Sequence, residues 1–249
     1  MRRQAFTLME LLVVISIITI LAGMLMPAAG RAMNQARAVS CRSRLRQIGA
    51  AVQLYAVNHA GYLPGCADSD GRQFFGKFTG ASEQVDFTAG YLSFYVGEDP
   101  DIWQCPSTSH GSFMPRAEGP CTGYGYNYYY LTELKEKGDW WDPDYAYSWQ
   151  GKHESAIYKF STTILFADSA RDWMGPLEEN WFLDPTSQCL AWPGWESLYV
   201  HFRHGGRCNV LWADGHVTSM PPDEDTWPVN GNNLGVLCDS EDIYFHPEK

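Results

Sequence analysis

An uncharged apolar run near the N-terminus constrains the fold of this chain more than any other feature. Residues 11–29 carry no charged side chain. As an α-helix they would be about 28 Å long, at about 1.5 Å per residue. The hydrocarbon core of a bilayer is about 30 Å thick, so a helix of this length can just cross it. The run therefore predicts a membrane-spanning helix at the start of the chain.

The residues ahead of the run differ from those of an ordinary secretory signal. Two arginines open the chain, and Ala5, Phe6 and Glu10 lie between them and the apolar residues. A secretory signal has its small-residue cleavage site behind the apolar segment, where residues 28–30 are Ala-Ala-Gly, and this is the alternative interpretation. It leaves Glu10 unexplained, because a carboxylate costs on the order of 3 kcal/mol at the bilayer centre and usually has a partner.

The junction from Ala5 to Glu10 resembles the type III signal of type IV pilins and type II secretion pseudopilins. The resemblance implies that a prepilin peptidase cuts between Ala5 and Phe6, that the new amino group of Phe6 is methylated, and that the helix is retained. It also implies that Glu10 pairs with the amino terminus of a neighbouring subunit and sets the filament register. The alternative is that Glu10 lies at interface depth, near the positive end of its own helix. This chain has Ala5 where the family usually has glycine.

The arginines do not by themselves give the orientation that the family implies. Two of them precede the apolar run and five follow it before residue 60, so the positive-inside rule would place the N-terminus outside. The resemblance implies the opposite: a single pass through the inner (cytoplasmic) membrane, a cytoplasmic N-terminus and a periplasmic or extracellular head. We adopt the orientation that the resemblance implies.

Beyond the apolar run the sequence predicts an amphipathic continuation of the same helix. Leu45, Ile48, Val52 and Tyr55 recur at spacings of three and four, which places them on one helix face. Stop signals begin at Asn58. The predicted organisation is a leader peptide (1–5), a transmembrane helix (6–29), an amphipathic stalk helix (30–60) and an acidic β-rich head (61–249).

Charge is divided sharply between the N-terminal part and the head. Residues 1–60 have a formal balance of +6, whereas residues 61–249 have a balance of −17. An acidic head repels phosphates, so we expect no nucleic-acid partner. The basic stalk could contact inner-membrane lipid headgroups or neighbouring acidic heads, or it could simply be a solvated helix face.

The head has the composition of strands and loops, with frequent Gly, Pro and Asp between short apolar segments. The predicted fold class is α+β: a long N-terminal helix packed on an antiparallel β-sheet head with long loops, as in pilins. The clearest strands are residues 162–169 and 209–217, and each contains an apolar run that ends in Ala-Asp. Asp214-Gly215 predicts a type I′ hairpin turn. If both strands lie in one sheet, Asp168 and Asp214 could share an edge.

A second pattern lies in the C-terminal part of the chain. His204 is followed by nine residues and then by Asp214 and Gly215. This resembles the C-terminal motif of a pilin-like family that combines a prepilin-type N-terminus with such a pattern. Cys41 and Cys105 lie in segments that also resemble that family.

Histidines and aspartates in the same region suggest a bound cation. Zinc sites use histidine and carboxylate ligands, and some pseudopilin heads carry calcium. Asp168, His204 and Asp214 are the candidate ligands, with His201 and His216 close to them in sequence. We nevertheless expect no cofactor, with Asp214 forming the hairpin turn and His204 making only hydrogen bonds; a bound divalent cation is the alternative.

The cysteines permit disulfides without specifying them. The chain has seven cysteines, so at least one thiol stays free, and sequence alone does not fix the pairing. An oxidising compartment would favour disulfides. Our hypothesis for one bond is Cys41 to Cys105, which would tie the stalk helix to the head.

These features favour a structural role. The leading hypothesis is a subunit of a type IV pilus-like or type II secretion-like filament, with prepilin peptidase and other pilin-like subunits as partners. The alternative is a surface-displayed module whose aromatic-rich head binds polysaccharide or a secreted substrate; residues 124–130 and 139–142 are rich in Tyr and Trp. We expect no enzyme activity, because no nucleophile–base motif supports one.

Overall fold

The structure is a computed structural model that describes residues 8–80, 84–97, 99–108, 113–116, 121–138, 146–172, 176–191 and 198–248. Within these residues a long N-terminal helix packs against antiparallel sheets, so the predicted α+β, pilin-like fold class is confirmed. The leader, the Ala5–Phe6 junction and the aromatic segment 139–142 lie outside the described residues.

The helices and strands are as follows. The helices are α1 (Leu8–Asn58), α2 (Ser93–Val96), α3 (Tyr128–Leu131) and α4 (Thr186–Cys189), with short 3₁₀ helices at Pro100–Trp103 and Glu154–Ala156. The strands are β1 (Lys77–Thr79), β2 (Gln84–Asp86), β3 (Tyr124–Tyr126), β4 (Thr132–Lys137), β5 (Ala146–Gly151), β6 (Ile164–Asp168), β7 (Arg171–Asp172), β8 (Leu177–Glu178), β9 (Val200–His201), β10 (Cys208–Trp212), β11 (Val217–Met220) and β12 (Leu234–Gly235).

Helix α1 has two halves in different surroundings. Its 51 residues run unbroken through Pro27, which corresponds to about 76 Å at about 1.5 Å per residue. Every residue from Leu8 to Arg37 is exposed, and Cys41 is the first fully buried residue. The predicted single-face pattern from Leu45 onward is confirmed, because these side chains point into the head.

The end of α1 follows from local chemistry at the predicted stop. The helix ends at Asn58, after which Ala60 and Gly61 adopt positive φ angles of 52° and 85°. The amide of Gly61 donates to the carbonyl of Ala56 at 2.8 Å, which satisfies a C-terminal helix carbonyl. The chain then turns back into the head.

A four-stranded antiparallel sheet in the order β11-β10-β6-β3 forms the centre of the head. Both strands predicted as the clearest ones, β6 and β10, lie at its middle and are buried throughout. Aromatic side chains fill the space beside them; for example, the rings of Tyr126 and Phe166 stack with centroids 4.9 Å apart. The tyrosines of β3 are therefore part of the core.

The β10–β11 hairpin forms as predicted, but its turn differs from the predicted type. Gly215 has a φ of 90°, whereas Asp214 does not have the positive φ that a type I′ turn requires at both central positions. The amide of Gly215 donates to the carbonyl of Trp212 at 2.9 Å, and the amide of Trp212 donates to the carbonyl of His216 at 3.0 Å. This is the pattern of a three-residue loop with glycine at its left-handed position.

The expectation that Asp168 and Asp214 share a sheet edge is wrong. Strands β6 and β10 are antiparallel, with Val210 opposite Ala167. Asp168 ends β6 beside the start of β10, whereas Asp214 follows the end of β10. Two strands that both end in Ala-Asp place these aspartates at opposite ends of the sheet when they pair antiparallel.

Helix α1 packs tightly against the sheet at Gly49. A Cβ atom added at Gly49 would lie 2.9 Å from a methyl carbon of Leu211 in β10, whereas one added at the exposed Gly30 would meet nothing within 4 Å. We predict that Gly49→Val destabilises the head by about 1–3 kcal/mol, the usual cost of overpacking a filled core. Gly30→Val is the matched control in the same helix. Thermal unfolding of the detergent-solubilised chain checks this, and equal melting temperatures for both variants would contradict it.

Candidate functional site

Four potential ligand side chains from four separate parts of the chain converge inside the head. They are Cys41 of α1, Cys105 after the 3₁₀ helix, Asp168 at the end of β6 and His204 in the β9–β10 loop; we call them the Cys-Asp-His cluster. One ligand atom from each lies within 4.8 Å of the other three. All four side chains are buried, including that of His204, which is 3% exposed.

Local sequence explains how each member reaches the cluster. Cys41 lies one helical turn before Leu45, on the face of α1 that packs into the head. Asp168 is the last residue of a fully buried strand. His204 is followed by Gly205 and Gly206, whose φ angles of 66° and 78° let the chain turn from the loop into β10.

The carboxylate of Asp168 makes the central contacts. Its Oδ2 lies 3.2 Å from Nε2 of His204, and its Oδ1 accepts a hydrogen bond from the thiol of Cys41 at 3.5 Å. Nε2 of His204 also lies 3.5 Å from the sulfur of Cys105. The buried guanidinium of Arg203 is close by, with Nε 3.9 Å from Oδ1 of Asp168.

These contacts shift the pKa values of the cluster. Burial alone would raise the pKa of Asp168, but the hydrogen bond from His204 and the charge of Arg203 outweigh it and hold that pKa below its usual value. Burial alone would lower the pKa of His204, yet Asp168 and Cys105 raise it to about 9. Burial also opposes ionisation of Cys105, but hydrogen bonds from Cys41 and His204 bring its pKa down to about 5. Burial and Cys105 raise the pKa of Cys41.

A second layer of hydrogen bonds holds the cluster in place. The hydroxyl of Tyr124 donates to the sulfur of Cys41 at 3.3 Å, and the backbone N–H of Asn209 donates to Oδ2 of Asp168 at 2.7 Å. The hydroxyl of Ser107 lies 3.2 Å from Nδ1 of His204. Tyr124 and Asn209 belong to β3 and β10, the two strands that flank β6 in the central sheet.

The contacts of His204 are not those of a catalytic triad. In a catalytic triad the nucleophile and the carboxylate contact different nitrogens of the histidine. Here Cys105 and Asp168 share Nε2 of His204, so the imidazole cannot relay a proton between them. Ser107 does contact the other nitrogen, but a histidine whose pKa is about 9 is already protonated at neutral pH and cannot act as the base for that hydroxyl.

The structure brings together some of the predicted site residues and separates others. Asp168 and His204 are in direct contact, and Cys41 and Cys105 lie in the same cluster as thiols. Asp214 is at the far end of β10, where its carboxylate caps the amide of His216 at 3.1 Å. A cation held by Asp168 and His204 would therefore not use Asp214.

The remaining predicted residues have separate surroundings. The ring of His201 packs against that of Phe113 with centroids 5.2 Å apart, and Nε of Arg203 donates to its Nδ1 at 3.2 Å. Burial lowers the pKa of His201 to about 3, so it is neutral. Glu10 lies on the exposed half of α1.

The sequence pattern of His204, nine residues and Asp214-Gly215 spans strand β10 from end to end. His204 reaches the Cys-Asp-His cluster before the strand begins. Gly215 forms the turn after it, and Nε2 of Gln53 in α1 donates to the carbonyl of Asp214 at 3.2 Å. The spacing thus places one end of the motif at the Cys-Asp-His cluster and the other end against the stalk helix.

The sequence did not predict two residues of the site. Arg203 could have been found from its position beside His204, whereas Tyr124 is not distinguished by sequence from its neighbours.

Comparison with known proteins assigns the N-terminal part of the chain. The family model described as the prokaryotic N-terminal methylation motif matches residues 1–26. No curated protein and no solved structure matches the chain. The motif continues into α1, which is long and apolar enough to cross a membrane.

The motif supports a prepilin-type protein of the kind that a peptidase processes, and the long apolar helix is consistent with a single N-terminal membrane anchor. Together these findings support a type IV pilin-like protein. The motif is characteristic of structural rather than catalytic proteins. The resemblance of the C-terminal pattern to a pilin-like family stays a prediction.

The stability of the head depends on Asp168 in a way that can be measured. Asp168→Asn removes the buried carboxylate that faces both Arg203 and His204, so we predict a loss of about 3–5 kcal/mol of unfolding free energy, as for other broken buried ion pairs. Asp214→Asn is the matched control, because its carboxylate pairs with His216 at an exposed site and should change stability by no more than about 1 kcal/mol. Denaturant unfolding of both variants checks this, and a near-neutral Asp168→Asn would contradict it.

Proposed function

We propose that this protein is a structural subunit of a type IV pilus-like or type II secretion-like filament. One observation carries the proposal: the methylation motif continues directly into a helix whose first half is exposed, while one face of its second half is buried in the head. A subunit of this kind can wait in the membrane and then enter a filament through the same helix.

The energetics of the exposed half support this proposal. Apolar side chains cover the helix on all sides from Leu11 to Met26, with about half or more of each exposed. Burial of apolar surface stabilises by about 25 cal/mol per Å². Such a helix therefore requires either lipid or the matching helices of neighbouring subunits around it.

The remaining features of the N-terminus belong to the same proposal. Prepilin peptidase of the inner membrane would cleave between Ala5 and Phe6 and leave residues 6–29 as the transmembrane helix and 30–60 as the stalk. The head, residues 61–249, would face the periplasm or the exterior. In the filament, Glu10 would pair with the methylated amino group of Phe6 from a neighbouring subunit, because each charge is costly alone in an apolar bundle.

The pairing of Glu10 is testable by removing its charge alone. We predict that Glu10→Gln leaves membrane insertion and cleavage intact but lowers the assembled fraction by about tenfold or more, the factor that about 1.4 kcal/mol of lost contact free energy produces. Glu10→Asp, which keeps the charge, is the control and should retain part of the assembly. Electron microscopy and quantification of sheared filaments provide the measurement. Normal filaments from Glu10→Gln would argue against the pairing.

A second candidate function is a surface-displayed module that binds polysaccharide or a secreted substrate. A cleft of about 520 Å³ lies beside the end of α1, lined by Tyr55, Tyr62 and Tyr91 together with Asp68. The hydroxyl of Tyr91 donates to the carboxylate of Asp68 at 2.9 Å. Aromatic faces beside a carboxylate can stack on and hydrogen-bond to a sugar ring.

The cleft makes a prediction distinct from filament assembly. If the head binds glycans there, Tyr62→Ala should weaken binding by about fivefold to tenfold, the factor for about 1 kcal/mol of lost stacking. Tyr158→Ala is the control, because Tyr158 is 72% exposed and does not line the cleft. A glycan array with the detergent-solubilised full chain, followed by titration of the best glycan, provides the test. Absence of binding by the unaltered chain would reject this candidate.

A further inference from the structure

We propose that the Cys-Asp-His cluster binds a zinc ion through the sulfurs of Cys41 and Cys105, a carboxylate oxygen of Asp168 and Nε2 of His204. The ion would be a closed structural centre that fixes the stalk helix to three other segments of the head. The proposal concerns the head and does not depend on filament assembly.

The spacing of the donor atoms agrees with a tetrahedral zinc shell. Zinc bonds of about 2.3 Å to sulfur and about 2.0–2.2 Å to nitrogen or oxygen imply sulfur–nitrogen and sulfur–oxygen separations of about 3.5–3.6 Å and nitrogen–oxygen separations of about 3.4 Å. Three of the six donor pairs have measured separations: 3.5 Å from the sulfur of Cys105 to Nε2 of His204, 3.5 Å from the sulfur of Cys41 to Oδ1 of Asp168, and 3.2 Å from Nε2 of His204 to Oδ2 of Asp168. These three are close to the separations that the ion requires, with each oxygen of Asp168 facing one partner, and all four donors lie within 4.8 Å of one another.

The convergence on one nitrogen also favours an ion over a proton. Nε2 of His204 faces both Cys105 and Asp168, and a single N–H bond can point well at only one of them. An ion at the centre of the cluster contacts all four donors at once. The shared contact of Cys105 and Asp168 with Nε2 of His204, which differs from a catalytic triad, is thus the contact expected among the ligands of a metal ion.

The donor types select the metal. Two thiolates, one imidazole and one carboxylate match the ligands of zinc, whereas calcium takes six to eight oxygen atoms. The sulfur donors favour zinc over the harder magnesium and manganese ions. Each donor side chain is buried, so no position stays open for water, as in structural rather than catalytic zinc sites.

The second layer of hydrogen bonds is the kind that supports metal ligands. With an ion on Nε2, Nδ1 of His204 would carry the ring hydrogen and donate it to the hydroxyl of Ser107, 3.2 Å away. Asn209 holds Asp168, and Tyr124 holds the sulfur of Cys41. Each of these three ligands therefore already has an orienting partner.

The charges of a filled site also balance. Two thiolates and one carboxylate carry three negative charges. The two positive charges of Zn²⁺ reduce the net charge of the site to minus one. The buried guanidinium of Arg203, with Nε 3.9 Å from Asp168, offsets the remaining charge. A buried centre without net charge avoids most of the cost of desolvation.

Metal analysis of the full chain tests the proposal. The protein is purified in detergent without chelator, and zinc is measured by mass spectrometry of the metal. We expect one zinc ion per chain in the unaltered protein and its loss in Cys105→Ser. Cys66→Ser is the matched control, because Cys66 is equally buried but lies outside the cluster, and it should retain the zinc. A strong chelator should lower the melting temperature by about 5–10 °C, and added zinc should restore it.

Cobalt substitution keeps the test decisive if Cys105→Ser fails to fold. The unaltered chain, reduced and freed of zinc by chelator, should develop thiolate-to-cobalt charge-transfer bands and the strong visible bands of a tetrahedral site when cobalt(II) is added. Absence of both zinc and these bands would overturn the proposal. A native disulfide between Cys41 and Cys105, found by non-reducing mass spectrometry, would overturn it equally, as would zinc that persists in the Cys105→Ser variant.

Discussion

The structure depends on one helix that must satisfy two different environments. The half of α1 from Leu8 to Arg37 is exposed and mostly apolar, so water alone is an unfavourable surrounding for it. The half from Cys41 onward supplies one face of the core of the head. Because the helix is continuous, the head fixes the position and direction of the apolar half, and any force on that half reaches the head through the same backbone.

The Cys-Asp-His cluster lies at the point where α1 enters the head. Cys41 is the first buried residue of the helix. Asp168 at the end of β6 and His204 in the β9–β10 loop lie beside it and contact each other. At the other end of β10, Gln53 of α1 contacts the turn at Asp214. The helix is therefore held near both ends of its buried half, by a buried charged cluster at one end and by a hairpin turn at the other.

The sequence predicted the parts of this structure that depend on local patterns. Apolar composition and the three-and-four spacing after Leu45 predicted the helix and its buried face, and the apolar runs before Asp168 and Asp214 predicted the two central strands. The pairing direction of those strands could not be predicted from local sequence, because it depends on the whole sheet. Their antiparallel pairing places Asp168 and Asp214 at opposite ends of the sheet.

The cluster shows the same limit of sequence reasoning. Its members are residues 41, 105, 168 and 204, which are far apart in the sequence. No local sequence pattern predicts that the helix, the two loops and the strand end that carry them meet at one point. The hypothesis that Cys41 and Cys105 pair brought two of them together, and the cation hypothesis brought the other two, but neither combined all four. The turn at Gly215 also differed from prediction because only the glycine adopts a positive φ.

The proposed function requires that the N-terminus is processed as a prepilin and that its helix is retained. Intact-protein mass spectrometry of native material shows where the mature chain begins. We expect it to begin at Phe6 with an N-methylated amino group. A mature chain that begins at Arg31 would show an ordinary signal peptide and would contradict the proposed function.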